Sequence, residues 1–237
     1  MQKGSKIHEG KAKEIFSTDD GGLLWVVYKD SVTAFNGEKK DTMPGKGRLN
    51  NEISSMLFGR LKEKGMQSHF VKRLSDTEQL VKKVDIIPLE VVVRNIIAGS
   101  SAKRLGLEEG RALETPIVEF FYKNDSLNDP LVTCDHIRIL GIAGDAQVKK
   151  LREMALAVNM VLGHIFKEAG ITLVDFKLEF GTDGAGNILL ADEISPDTCR
   201  LWDTQTGQKL DKDVYRRNLG DMLPGYEAVL ERLQKTL

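Results

Sequence analysis

Leu173-Val-Asp-Phe-Lys-Leu-Glu-Phe-Gly181 alternates apolar Val174, Phe176, Leu178 and Phe180 with ionisable Asp175, Lys177 and Glu179. Strand side chains point to opposite faces with a period of two, so the apolar set backs onto a core and three ionisable groups share the other face. After a Gly-rich turn, Gly181-Thr-Asp-Gly-Ala-Gly-Asn187, the segment Ile188-Leu-Leu-Ala-Asp192-Glu193-Ile-Ser195-Pro196-Asp197 supplies more carboxylates. A hairpin would bring the two together. For Asp192 to share the face of Lys177 and Glu179, paired position numbers must have an odd sum, which a turn near Ala185 is expected to allow; a one-residue slip sends Asp192 to the core side. In the odd register two carboxylates and an ammonium converge, which suits Mg²⁺ and its phosphate oxygens. The alternative is a solvated hairpin with cross-strand ion pairs.

Upstream, the chain reads as a β-hairpin: an extended run from Ser5 to Phe16, a turn at Asp19-Asp-Gly-Gly22 and the run Leu23–Tyr28. Within the first run, Gly10-Lys11-Ala12-Lys13 places both lysines on one face by period two, either as a phosphate grip or as protection of an edge strand. Residues 33–48 are polar and Gly-rich and read as a functional loop, with Asn50 or Asn51 capping a helix that ends near Gly65. Short strands follow around His69–Lys72 and Gln79–Val84. In Ile86–Ser101, Glu90 and Arg94 share a face, where buried charge needs a pairing partner or a polar ligand. Ala98-Gly-Ser-Ser101, leading to Lys103-Arg104, offers backbone N–H groups and hydroxyls for an anion. Residues 146–169 form an amphipathic helix, capped by Asp145 and stopped by Gly170, on which His164 reads as an ordinary helix residue. A last helix covers Tyr226–Leu233.

The 237 residues, 41% hydrophobic and 29% charged, describe an ordinary globular protein of one large or two small domains. A formal net charge of −1 excludes a globally basic nucleic-acid binder. No apolar run reaches the roughly 20 residues of a membrane helix, and Met1–His8 lacks a signal-peptide apolar region, so a cytoplasmic protein is expected. Cys134 and Cys199 are far apart and read as free thiols. The P-loop, dinucleotide, Gly-x-Ser-x-Gly and His-Glu-x-x-His motifs are all missing.

Pro88-Leu-Glu-Val-Val-Val-Arg-Asn-Ile-Ile-Ala-Gly-Ser100 and Val174–Gly181 together resemble the two signature segments of the SAICAR synthetase family. The resemblance extends to Gly10–Lys13, Lys46–Asn51, Asp192–Asp197 and Arg200–Asp203, and spans nearly the whole chain. It implies an ATP-dependent amide ligase that joins the carboxylate of carboxyaminoimidazole ribonucleotide (CAIR) to the amine of L-aspartate. It also implies an α+β, two-lobed fold with an ATP-grasp- or protein-kinase-like nucleotide cleft: a β-rich lobe over residues 1–86 and a larger α+β lobe over 87–237, in a homodimer. By the same resemblance, Gly10, Lys11, Ala12 and Lys13 contact ATP, Glu179 and Asp192 bind ATP through Mg²⁺, and Lys177 with Asp175 is catalytic. Arg94, Ser100 and Arg200 secure the ribonucleotide, Arg being suited to bidentate phosphate recognition, and Glu90, Asp197, Lys212 and Arg216 are further substrate-binding residues, with plain surface charge as the alternative for Lys212 and Arg216. One departure is Asn36, where other members can carry Asp, which leaves hydrogen bonding but no charge at that position.

Two other classes remain at this stage. A kinase-like phosphotransferase would want the same lysines and carboxylates, but His-Arg-Asp and Asp-Phe-Gly are missing, and the order here is Asp-Phe-Lys. A non-catalytic nucleotide-binding module would bind ATP without turnover.

Overall fold

The computed structural model describes residues 1–34 and 37–236, which form two large antiparallel sheets and a small two-stranded one. Asn36, singled out above, lies outside the described residues. The first half contains β1 (Lys3–Glu9), β2 (Lys13–Thr18), β3 (Leu23–Tyr28), β4 (Ser31–Ala34), β5 (Lys39–Thr42), α1 (Lys46–Glu63), β6 (Phe70–Arg73), β7 (Glu78–Lys82), β8 (Asp85–Ile86), β9 (Leu89–Ile96) and α2 (Gly99–Leu105). The second contains β10 (Ala112–Tyr122), β11 (Leu131–Val132), α3 (Cys134–Ile139), α4 (Asp145–Glu168), β12 (Ile171–Thr182), β13 (Ile188–Ala191), β14 (Cys199–Asp203), α5 (Asp213–Arg216) and α6 (Leu223–Thr236).

One sheet has the order β1-β2-β3-β7-β6; the other runs β11-β10-β9-β12-β13, with β8 and β14 also on β12, and β4 pairs with β5 apart from both. The mixed α+β class expected from the sequence is observed. β12 is central because β8, β9, β13 and β14 all pair with it; Val174, Phe176, Leu178 and Phe180 are buried on one face, and Asp175 and Glu179 are buried on the other, with Lys177 between them half-buried. Helix α4 lays Val148, Leu151, Ala155, Val158, Leu162 and Ile165 into the same core, where full burial of each larger aliphatic side chain contributes about 1.5–3 kcal/mol. Gly170, with φ +67, lets the chain leave α4 and enter β12 directly. His164 sits on the exposed face beside Glu168. Among the described residues no helix is long and apolar enough to cross a membrane. Both cysteines are free, Cys134 exposed and Cys199 buried.

Several local expectations are corrected. The single run from Ser5 to Phe16 is two strands, because the Gly10 N–H donates to the Lys13 carbonyl at 2.8 Å and reverses the chain, so that Glu9 pairs with Glu14. Lys11 therefore lies in a turn, and its direction is not set by strand alternation with Lys13. The 33–48 stretch contains β5, and α1 begins at Lys46 after Gly45 (φ +91), one turn before the expected asparagine caps. Asn51 instead reaches the carbonyls of Ser75 and Asp76 from inside the helix. Helix α4 follows Gly144 without a side-chain cap, so Asp145 is its first helical residue.

Candidate active site

A cavity of about 820 Å³ opens between the β1–β2 turn and the second sheet, within the volume range of small-molecule sites. Every candidate residue lines it: the Gly10–Lys13 turn, Glu90 and Arg94 of β9, Ser100 of α2, Asp175, Lys177 and Glu179 of β12, then Asp192, Asp197, Arg200, Lys212 and Arg216. Strand alternation sends the β12 charges here while its aromatic residues fill the core.

Lys177 Nζ donates to Glu90 Oε1 and Glu179 Oε1, each at 2.9 Å. Burial alone would push this ammonium down, but the Glu179, Asp192 and Glu90 carboxylates outweigh it and raise its pKa well above the usual lysine value. It is a fixed positive charge rather than a base. Lys123 donates to the other oxygen of Glu179.

Asp192 reaches the cavity by a route that strand periodicity does not give. Glu179 pairs with Ala191 and Phe180 with Leu190, an even register that would direct position 192 to the core side. The expected odd register is thus wrong. Asp192 instead lies one residue beyond β13 with φ +60, and this left-handed residue breaks the alternation and turns its carboxylate toward Lys13. Burial opposes its charge, yet Lys13 and Lys177 hold its pKa well below the usual carboxylate range. Lys13 also meets Glu193 at 3.3 Å and stands 5.5 Å from the Tyr28 ring. Lys11 Nζ, in the turn, pairs with Asp125 at 2.9 Å.

The other end of the cavity is a row of alternating charges. Asp175 accepts from Arg94 Nη1 at 2.5 Å and from Arg200 Nη1 at 2.9 Å. Glu119 holds Arg94 Nε at 2.7 Å, and Asp213 holds Arg200 Nε at 2.9 Å and Arg216 Nη1 at 2.7 Å. Burial raises the Asp175 pKa, and the two arginines pull against that rise. Asp213, where burial is outweighed by Arg200 and Arg216, is lowered to about 2. Between the two ends, Asp197 accepts from Lys46 at 2.6 Å, Asn50 at 2.9 Å and the Tyr226 hydroxyl at 2.7 Å. Lys212 stands 4.0 Å from Asp197, and burial lowers its pKa.

Sequence reading missed Lys123, Glu119, Asp213, Glu193 and Lys46. Glu193 had a signal, since it follows Asp192 in an acidic pair; Lys46 had one in the Gly-Lys-Gly stretch that opens α1. The rest depend on register and loop path. Among the described residues no three His, Cys, Asp or Glu side chains form a metal-holding group. The two cleft carboxylates Glu179 and Asp192 still fit Mg²⁺, which is usually held by one or two carboxylates together with phosphates and water.

Residues 6–233 match the family model described as SAICAR synthetase. A phosphoribosylaminoimidazole-succinocarboxamide synthase of Shouchella clausii is 62% identical over 233 residues, covering 98% of both chains. The crystal structure of the enzyme of that name from Ehrlichia chaffeensis has a TM-score of 0.95 at 47% identity, covering 98% of this chain and 99% of the other. A SAICAR synthetase in complex with ADP has a TM-score of 0.92 at 49% identity, covering 95% of this chain and 96% of that one.

Proposed function

The chain belongs to the SAICAR synthetase family and is an ATP-dependent ligase that joins CAIR to aspartate in purine biosynthesis, and we propose how its cleft divides that work. The observation that carries the proposal is the polarity of the cavity. Lys13, Lys123 and Lys177 surround Glu179 and Asp192 at one end, and Arg94, Arg200 and Arg216 are held in a row at the other. The first end suits a nucleotide polyphosphate and the second a ribonucleotide phosphate.

A carboxylate does not react with an amine at neutral pH, so it must first be activated. In the proposed route a CAIR carboxylate oxygen attacks the γ-phosphorus of ATP, the bond to the bridging oxygen breaks, and ADP leaves. The aspartate amine then attacks the acyl carbon, phosphate departs with its oxygen, and the nitrogen loses a proton. The protein's part is positioning and charge neutralisation. Gly10 and Ala12 shape the turn that brings Lys11 and Lys13 to the phosphates, and Lys177, charged and doubly anchored, faces the transferring group. Mg²⁺ held by Glu179 and Asp192 would neutralise phosphate charge. Arg94, Ser100, Arg200 and Arg216 hold the ribonucleotide, with Glu90, Asp197 and Lys212 beside it. Asp175 acts by orienting Arg94 and Arg200.

Residues 1–86 serve as the lobe that covers the nucleotide and 87–237 as the lobe that carries metal and ribonucleotide, tied together where β8 pairs with β12. The protein works as a cytoplasmic homodimer, a state that light scattering of the purified chain checks. ADP release is measured with Mg-ATP and CAIR, with and without L-aspartate, while the imidazole product is weighed by mass spectrometry. Aspartate-dependent release with formation of the succinyl amide is expected; ADP release without aspartate would favour a phosphotransferase, and binding without turnover a regulatory module.

A further inference from the structure

Asp192 and Glu193 are consecutive acids that share one ammonium, yet they are not equivalent. Both side chains line the cavity, but that of Asp192 is 20% exposed and that of Glu193 only 5%. Glu193 divides its oxygens, with Oε1 facing Lys13 at 3.3 Å and Oε2 accepting from Ser195 Oγ at 2.9 Å. Its backbone is fixed on the C-terminal side, since the Ile194 N–H donates to Ser54 Oγ at 3.2 Å and the Asp197 N–H to Ser195 Oγ at 3.1 Å. Asp192 instead sits at the left-handed residue between this locked segment and β13.

We propose that Glu193 is a positioning residue that retains Lys13 when Asp192 turns to a metal–nucleotide. The inference rests on the reading that Asp192 serves the metal and Lys13 the phosphates. A buried ammonium with one carboxylate partner cannot release it without standing uncompensated. With Asp192 alone, Lys13 and the metal would compete for the same carboxylate. Glu193 removes the competition: the inner acid stays as counter-ion, aims Nζ into the cleft, and leaves the outer acid available. Ser195 fixes the inner acid's direction.

The test is the ratio of ADP affinity with and without Mg²⁺, measured by calorimetry on the purified full chain, a readout that requires no turnover. In the wild type Mg²⁺ tightens ADP binding, and Asp192→Asn abolishes that gain. Glu193→Gln, which keeps side-chain volume and an acceptor for Ser195, lowers the gain by about tenfold, within the coupling range of contacting charged groups. Glu193→Asp, which keeps the charge but retracts it, lowers the gain less and covers the case in which Glu193→Gln does not fold. In a Lys13→Ala background Glu193→Gln has no further effect, because there is no ammonium left to retain. An equal loss with and without Lys13 overturns the inference in favour of a through-space charge effect, and an unchanged gain in both Glu193 variants overturns it outright. If Asp192→Asn itself leaves the gain intact, the metal reading fails, and the inference with it.

Discussion

Gly99→Ala tests whether the arginine row is as rigid as its contacts imply. Gly99 has φ +56, and a Cβ there would lie 2.6 Å from the Arg200 guanidinium carbon. A long side chain usually moves aside, but Arg200 is fixed by Asp213 on Nε at 2.9 Å and by Asp175 on Nη1 at 2.9 Å. Forcing an L-residue into the left-handed region costs about 1–2 kcal/mol. Displacing the guanidinium sacrifices at least one charged hydrogen bond, a further 1.5–3 kcal/mol or so. The expected loss is therefore about 2.5–5 kcal/mol, which for a chain of this length lowers Tm by roughly 10 °C. The catalytic signature is more specific: KM for CAIR rises by about tenfold or more, while KM for ATP, whose proposed contacts are at the other end of the cavity, stays within about twofold. Steady-state kinetics in each substrate and a thermal melt give all three numbers. A stable variant with unchanged KM for CAIR would refute both the pinning of Arg200 and its assignment to the ribonucleotide.

Glu179→Gln should lower turnover by orders of magnitude in a chain that still folds, with a lowered melting point, since it removes a buried cleft carboxylate that two lysines and the proposed metal share; near-normal kcat would end that assignment. Lys46→Met should cost about 3–5 kcal/mol in denaturant unfolding, because it leaves the buried Asp197 without its 2.6 Å partner. His69, buried beside Lys13 with an unpartnered Nδ1, has its pKa lowered by burial to about 3. Its folded-state pKa lies below the unfolded value near 6.5, so the unfolded chain binds the extra proton as the medium acidifies. This contribution is complete above about pH 6.5 and lost progressively toward pH 3, up to about 4 kcal/mol; the non-titrating His69→Phe should show a flatter stability profile across that window.

The β12 face was legible because it depends only on a period of two and on the rule that an apolar face must be covered. Asp175, Lys177 and Glu179 therefore reach the cavity as the sequence reading requires. The neighbouring N-terminal hairpin was not legible at its turn, since Gly10-Lys-Ala carries none of the Asn-Gly or Asp-Gly signals of a tight hairpin, and an extended stretch is locally as good a reading. Asp192 arrived where expected for the wrong reason: the register is even, and one left-handed backbone residue reverses the outcome. No periodicity argument contains such a residue. Glu119 and Asp213 were hidden differently, because the Arg94 partner is fixed by how β10 pairs with β9 and the Arg200 partner by the path from β14 into α5. Local sequence can name a charged residue without naming what satisfies it.

That hidden set of partners explains how so many charges persist in one cavity. An uncompensated buried charge costs several kcal/mol, so a cleft built to receive polyphosphate and carboxylate ligands must satisfy its cations with its own carboxylates while the ligands are elsewhere. The contacts follow that logic, with Lys13 on Asp192 and Glu193, Lys177 on Glu90 and Glu179, and Arg94 and Arg200 on Asp175. Binding then becomes an exchange of partners rather than the neutralisation of bare charge, and affinity measures the difference between two well-solvated states. On the proposed assignments, carboxylates such as Asp175, Glu193 and Asp213 bear on binding without needing to touch a substrate: they would hold the cations in the orientation the ligand requires and keep them from collapsing onto the acids that must stay available. The same exchange makes removal of an internal acid costly even though the deletion leaves the cavity more positive, because orientation is lost along with compensation.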